Sequence, residues 1–241
     1  MSEAALHIRG DLRLGGRTLC PALDLACPGG AWTVLLGPSG VGKSTLARLI
    51  AGLPGPAHLT GAITASDGAP PEGRVTLMAQ SDQLLPWVSV LDNVTLGARL
   101  RGQRPDHARA LDLLARVGLE GLAHRRPATL SGGQRQRVAL ARSLIEARAI
   151  VVMDEPFSAL DAATRAAMQD LAARLLQGRT VILITHDPLE AARLAHQAHL
   201  MQGDGLHPLP LPATPPPRAL SDPATLTAQA DLYARLMQGA A

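Results

Sequence analysis

Gly37, Pro38, Ser39, Gly40, Val41, Gly42, Lys43, Ser44 and Thr45 stand in a row that fits G-x-x-x-x-G-K-[ST]. Glycines in such a row let backbone N–H groups curl around a phosphate. A helix that starts at its end adds partial positive charge. Lys43 is then expected to reach the β- and γ-phosphates of a nucleoside triphosphate, Ser44 to offer a hydroxyl to Mg²⁺, and Thr45 to lie towards the α-phosphate. The lysine is singular, because the chain has 22 arginines and no other lysine. A narrow site that takes a compact point charge, and not a broad planar fork, accounts for the exception.

Two further groups of residues could act on the same ligand. The apolar run Ile150–Met153 ends in adjacent acids, Asp154 and Glu155. A loop after a strand often carries acids. Beside a phosphate loop, however, Asp154 is suited to hold Mg²⁺ through water and Glu155 to activate the attacking water. Leu130, Ser131, Gly132, Gly133 and Gln134 precede a helical run, Arg135–Glu146, and form a second glycine-rich helix start able to hold an anion. One nucleotide cannot easily occupy two such sites on one compact chain. The economical arrangement is a head-to-tail pair of copies, with ATP between the phosphate loop of one and residues 130–134 of the other.

LSGGQ at 130–134, at this distance from a phosphate loop, resembles the signature of the ATP-binding-cassette (ABC) ATPases, and the likeness covers residues 5–205. It implies an α/β fold: a P-loop NTPase core with a mostly parallel sheet, an N-terminal antiparallel β region and a helical insertion. It also implies roles for other residues. Gln80 resembles the glutamine that senses Mg²⁺ and the attacking water, with Gln83 as the alternative. Ser158–Asp161 resembles the loop that communicates across the dimer, so that Asp161 joins the nucleotide site. His186 resembles the switch histidine that contacts the γ-phosphate. Two cassettes close on two ATP–Mg²⁺, and the helical insertion, entered through Gln80–Trp87, docks short helices of membrane subunits.

Leu84–Val94 is similar to the corresponding stretch of nitrate/sulfonate/taurine-type importers, and the ATPases of thiamine-precursor importers are similar too. The resemblance implies a peripheral subunit at the cytoplasmic face of a bacterial membrane. Its partners would be permease subunits and, indirectly, a solute-binding protein, and the solute itself is not indicated. An exporter motor is an alternative. A soluble cassette ATPase of DNA repair or translation would carry long coiled coils or twin cassettes. A P-loop nucleotide kinase would leave Leu130–Gln134 without a purpose. The sequence departs from the family at one point. The family stacks adenine on an aromatic residue near the position of Leu14, and residues 1–31 hold no Phe, Tyr or Trp. Loose grip on the base and poor discrimination between ATP and GTP are therefore expected.

These residues need elements to position them. Leu6, Ile8, Leu12 and Leu14 give a broken alternation and Leu23, Leu25 and Cys27 a clean one, as strands do. Gly29–Gly30 marks a turn and Trp32–Leu36 a short apolar strand. Ser44–Ala51 has helical spacing, and Arg74–Met78 reads as a strand. Helices are expected over Val90–Leu100 and Asp106–Val117, with Ser89 and Asp106 as N-caps. From Ala149 the order is strand (to Met153), helix (Ala162–Leu176), strand (Thr180–Ile184) and helix (Leu189–Ala195). That alternation implies parallel strands with crossover helices. The ATPase domain is expected over residues 1–205 with its insertion at about 85–145. Residues 206–241 form a tail with a proline-rich linker, Ala213–Arg218. In that tail Asp222–Met237 reads as a helix packing Leu226, Tyr233 and Met237 on the core or on a partner.

Composition limits the remaining classes. Hydrophobic residues at 46% and charged residues at 18% describe a globular chain. The longest apolar runs are strand-sized, so no membrane span is expected. Met1–Arg9 has no basic region followed by an apolar run, and folding in the cytosol is the expectation. The net charge is only +3, and no basic cluster exceeds Arg125–Arg126, so no nucleic-acid partner is expected. Cys20 and Cys27 fit neither a zinc site nor a redox pair and read as inert thiols.

Overall fold

In a computed structural model that describes residues 4–238, the chain opens with two long antiparallel strands, β1 (Leu6–Leu14) and β2 (Arg17–Cys27). On β1, Leu6, Ile8 and Leu12 turn to the core and the residues between them are more exposed. The alternation breaks because β1 changes partner. Residues Leu6–Arg9 pair with β5 (Ala62–Ala65) and Leu12–Leu14 with β4 (Ala57–Leu59). The change happens at Gly10, at φ 124°, where an added Cβ would lie 2.4 Å from the Gly61 nitrogen. Only glycine allows that backbone approach.

The chain forms two units, and the first holds residues 4–77, 149–155 and 177–238. Besides the antiparallel sheet it contains a second sheet of six strands in the order β10-β9-β3-β8-β7-β6. These are β3 (Trp32–Leu36), β6 (Val75–Met78), β7 (Ile150–Asp154), β8 (Thr180–Thr185), β9 (Gln197–Gln202) and β10 (Gly205–Leu209). β3 runs parallel to β8 and β9, β7 runs parallel to β8, and β10 is antiparallel to β9. Every residue of β3, β7 and β8 is buried. This explains their unbroken apolar runs, since parallel strands are covered on both faces. The antiparallel sheet and the helix α1 (Lys43–Ile50) share one core with them, in which Ile8, Leu12, Leu25, Leu35, Leu46 and Ile184 meet. The mixed α/β architecture is the one the sequence implied.

At the end of this unit, α7 (Pro188–Leu194) is followed by β9, β10, a proline-rich segment and α8 (Pro223–Gln238), which packs on α7. Arg218, 5% exposed, joins these pieces. Its Nη1 donates to the carbonyls of Ala192 and Ala195 at the α7 C-terminus, Nη2 to Pro212 and Nε to Thr214, at 2.7–2.9 Å. A cation suits the negative end of a helix dipole. Leu226, Tyr233 and Met237 of α8 are exposed, so they do not pack on the core of this chain, and the helix residues buried here are Thr225 and Leu232.

The second unit, residues 78–148 and 156–176, is helical. It contains α2 (Val90–Val94), α3 (Leu96–Leu100), α4 (His107–Arg116), α5 (Gly132–Ile145) and α6 (Ala162–Leu175). Ser89 and Asp106 cap α2 and α4 through bonds from the Asp92 and Arg109 N–H groups. The single helix expected over Val90–Leu100 is two. Thr95 ends the first by returning its Oγ1 to the Leu91 carbonyl, 3.0 Å away. Serine and threonine that bond back to i−4 bend helices. Four of the five α2 residues are buried and none of α3, so only the first piece belongs to the core of the unit.

Candidate nucleotide site

β3 delivers the chain into the glycine row, and the row ends in α1, whose first residue is Lys43. The N-cap is Gly42, at φ 109°, with Leu12 Cδ2 and Leu19 Cδ1 each 3.1 Å from where a Cβ would be. The β1–β2 hairpin thus lies against the loop, and the position is closed to side chains. At Gly37 a Cβ would sit 2.5 Å from the Met201 carbonyl. Ser39 and Gly40 are exposed, and Pro38, Val41 and Thr45 half-buried, so the outer curve of the loop faces solvent.

Lys43 is 5% exposed. Its Nζ donates to the carbonyls of Gly37 (2.7 Å) and Pro38 (2.8 Å), inside the curve of its own loop. Burial pushes its pKa down, and the charges of Glu155 and Asp154 work the other way. Asp154, the last residue of β7, is buried, and this raises its carboxyl pKa. The bond from Ser44 Oγ to Asp154 Oδ1, 3.0 Å, opposes that rise, Glu155 adds to it and Lys43 opposes it.

Glu155 follows in a left-handed conformation, φ 46°, which non-glycine residues seldom adopt. Its N–H donates to the Ile184 carbonyl at 2.8 Å, which ties the turn after β7 to β8. The turn brings Oε2 within 3.1 Å of His186 Nδ1, one residue past the end of β8. The first unit therefore assembles Lys43, the Ser44–Asp154 pair and the Glu155–His186 pair. A buried cation, a hydroxyl–carboxylate pair and a carboxylate–imidazole pair can respectively bind phosphate, take a hard cation and move a proton.

The remaining candidates, Gln80, residues 131–134 and Asp161, belong to the second unit. Gln80 is exposed in the loop after β6, and Gln83 in the same loop has φ 47°. Ser131 caps α5 in a reciprocal box: its Oγ accepts from the Gln134 N–H, and Gln134 Oε1 accepts from the Ser131 N–H. Gly132 is open to solvent. Gly133 is required sterically, because a Cβ there would meet Thr164 Cγ2 at 2.7 Å. Asp161 caps α6 by accepting from the Thr164 N–H at 3.0 Å, which lowers its carboxyl pKa.

The sequence reading did not single out Asp82, Asn93, Arg135 or Arg142, which fix the loop that carries Gln80. Arg135 Nε donates to Asp82 Oδ2 (3.0 Å), and Arg142 donates to the carbonyls of Asp82 (2.6 Å) and Gln83 (2.8 Å). The available signal was the spacing of the two arginines, seven apart on one helix face.

Comparison with known proteins identifies the family. The family model described as ABC transporter matches residues 21–158. The aliphatic sulfonates import ATP-binding protein SsuB 1 of Rhodococcus jostii is 48% identical over 191 residues, 78% of this chain and 75% of that protein. SsuB of Escherichia coli K12 is 46% identical over 226 residues, 90% of this chain and 84% of that protein. An uncharacterised ABC transporter ATP-binding protein of Haemophilus influenzae is 42% identical over 204 residues, 84% and 83% of the two chains. With more than half of its length matched by the family model and at least three quarters of each relative covered, the chain belongs to the ABC transporter family, as an ATP-binding protein that hydrolyses ATP.

Proposed function

We propose that this protein is the motor of an importer for a small solute of the sulfonate, nitrate and taurine class, or of the thiamine-precursor type. It works at the cytoplasmic face of the bacterial membrane, bound to permease subunits and served indirectly by a solute-binding protein. The observation that carries the reading is the meeting, in one unit, of Lys43 with the Ser44–Asp154 and Glu155–His186 pairs. The import function of the SsuB relatives supports the solute class. No helix among the described residues is long and apolar enough to cross a membrane, in keeping with a peripheral subunit.

In this reading the triphosphate lies on residues 37–45, and Lys43 Nζ leaves the Gly37 and Pro38 carbonyls for the β- and γ-phosphates. Mg²⁺ is commonly held by one or two carboxylates together with substrate phosphates. Ser44 and Asp154 have that chemistry, with Gln80 as a further ligand. Held there, the ion would supply positive charge against the phosphates. Glu155 accepts the proton of the attacking water, and His186 orients Glu155 and donates to the γ-phosphate. Residues 131–134 and Asp161 complete the site on a second copy of the chain.

The test is uptake. Co-expressed with the permease that co-purifies with it, the protein should drive ATP-dependent entry of an alkanesulfonate, nitrate or thiamine precursor into vesicles. Glu155→Gln should abolish that entry. Outward movement of solute, or capture of no membrane protein, would overturn the proposal.

A further inference from the structure

The sequence motifs leave unexplained why the loop after β6 takes the shape it has. Gln83 sits at φ 47°, a conformation that costs of order 1–3 kcal/mol and persists only when its surroundings over-determine it. The surroundings are on α5. Arg142 grips two successive carbonyls, those of Asp82 and Gln83, with two guanidinium nitrogens. Asp82 is engaged through every acceptor it has. Oδ1 accepts from the Leu84 N–H (3.1 Å), Oδ2 from Arg135 Nε (3.0 Å), and the carbonyl from Arg142. The far end of the loop is held as firmly, since the side chain of the fully buried Asn93 exchanges hydrogen bonds with the backbone of Leu85.

Arg135 also looks the other way. Its Nη1 donates to the carbonyl of Leu130, 2.9 Å, the residue before the Ser131 cap. A continuous chain of charge-assisted bonds thus runs from the loop of Gln80, through Asp82 and Arg135, to the start of residues 130–134. All of it lies in one unit. Arg135 and Arg142 stand two turns apart on a helix of 14 residues, which is stiff over that length. An isolated exposed ion pair is worth little, but a half-buried network that fixes backbone geometry resists displacement as a piece.

We infer that Asp82, Arg135 and Arg142 are positioning residues that make the Gln80 loop and residues 130–134 move together, and so couple one nucleotide site to the other. The inference rests on the reading given above, in which Gln80 serves the nucleotide of its own chain and residues 130–134 that of a second copy. A displacement of Gln80 on binding Mg²⁺–ATP is then handed by Asp82 and Arg135 to the residues that close on the partner's ATP. Two sites joined in this way bind cooperatively.

The experiment is turnover against ATP concentration for the full chain with Mg²⁺. The wild type should give a Hill coefficient approaching 2, the number of sites, and Asp82→Asn a value close to 1. Asparagine keeps the shape of aspartate and the bond to the Leu84 N–H while removing the charge. Arg135→Gln and the double variant should give the same loss as Asp82→Asn, because one broken link cannot be broken again. Arg135→Lys, which keeps a cation, should recover part of the cooperativity. Should Asp82→Asn fail to fold, Arg142→Lys, which loses the two-carbonyl grip, is expected to show the same fall. A cooperative wild type beside an equally cooperative Asp82→Asn or Arg142→Lys overturns the coupling and leaves the two-copy site standing. A wild type with a Hill coefficient of 1 overturns the two-copy site and the coupling with it.

Discussion

Lys43, the proposed phosphate ligand, shows how a single ammonium is held inside a loop. It is almost wholly buried, and its charge is tolerated because two carbonyls of its own loop and the nearby Asp154 and Glu155 compensate it. Hydrogen bonds to charged groups contribute about 1.5–3 kcal/mol each. Lys43→Ala should therefore weaken ATP binding by about a hundredfold or abolish turnover, as read by nucleotide titration and phosphate release. Unaltered activity would remove the phosphate loop from the mechanism. Leu14 supports a prediction of the opposite sign. It closes β1 opposite Arg17, in the hairpin that touches Gly42 through Leu12 and Leu19. Base–aromatic stacking contributes about 1–3 kcal/mol. Leu14→Tyr should tighten ATP by that amount, whereas the wild type should bind ATP and GTP within a few-fold of each other. Equal affinities of variant and wild type would place the base elsewhere.

Among the elements, Arg218 gives the clearest case of one side chain holding several pieces of backbone. Arg218→Ala would leave the carbonyls of Ala192, Ala195, Pro212 and Thr214 without their donor. A loss of about 2–4 kcal/mol is expected, since a buried acceptor left unsatisfied costs about 1–3 kcal/mol. A thermal melt reads it directly, and an unchanged midpoint would show that water replaces the guanidinium. β3, β7 and β8 were legible in the sequence within a residue or so, because burial on both faces demands unbroken apolar runs. The caps at Ser89 and Asp106 were legible because their oxygens meet N–H groups three residues on. β4 and β5 were not, since they are short, largely exposed and set among glycines. β9 and β10 also escaped. His199 and Pro208 stand opposite each other across that pair and interrupt any run. The residues of the phosphate loop are local in sequence and could be read as a string. The contact of Glu155 with His186 could not be read from the sequence, because it depends on a left-handed turn that no local pattern announces.

At the level of the whole molecule, the proposed sharing of the site by two copies would make the oligomeric state depend on the nucleotide. Glu155→Gln should bind ATP and fail to hydrolyse it, so that the closed pair accumulates. Gel filtration with ATP–Mg²⁺ should show elution at twice the monomer mass, and wild type in ADP should stay monomeric. Elution of Glu155→Gln as a monomer under both conditions would count against the sharing of residues 131–134 between copies. The chemistry of the two cysteines bears on any experiment that follows such motions. Cys20 and Cys27 are at most 1% exposed, and burial pushes their pKa values up to about 11 and about 12. Thiol reagents act on the thiolate, which is scarce in such surroundings near neutral pH. The natural sequence is therefore a silent background for labelling. A cysteine introduced at an exposed position such as Trp87 or Tyr233 should take a maleimide dye alone, and slow labelling of the two native thiols would instead time the opening of the core.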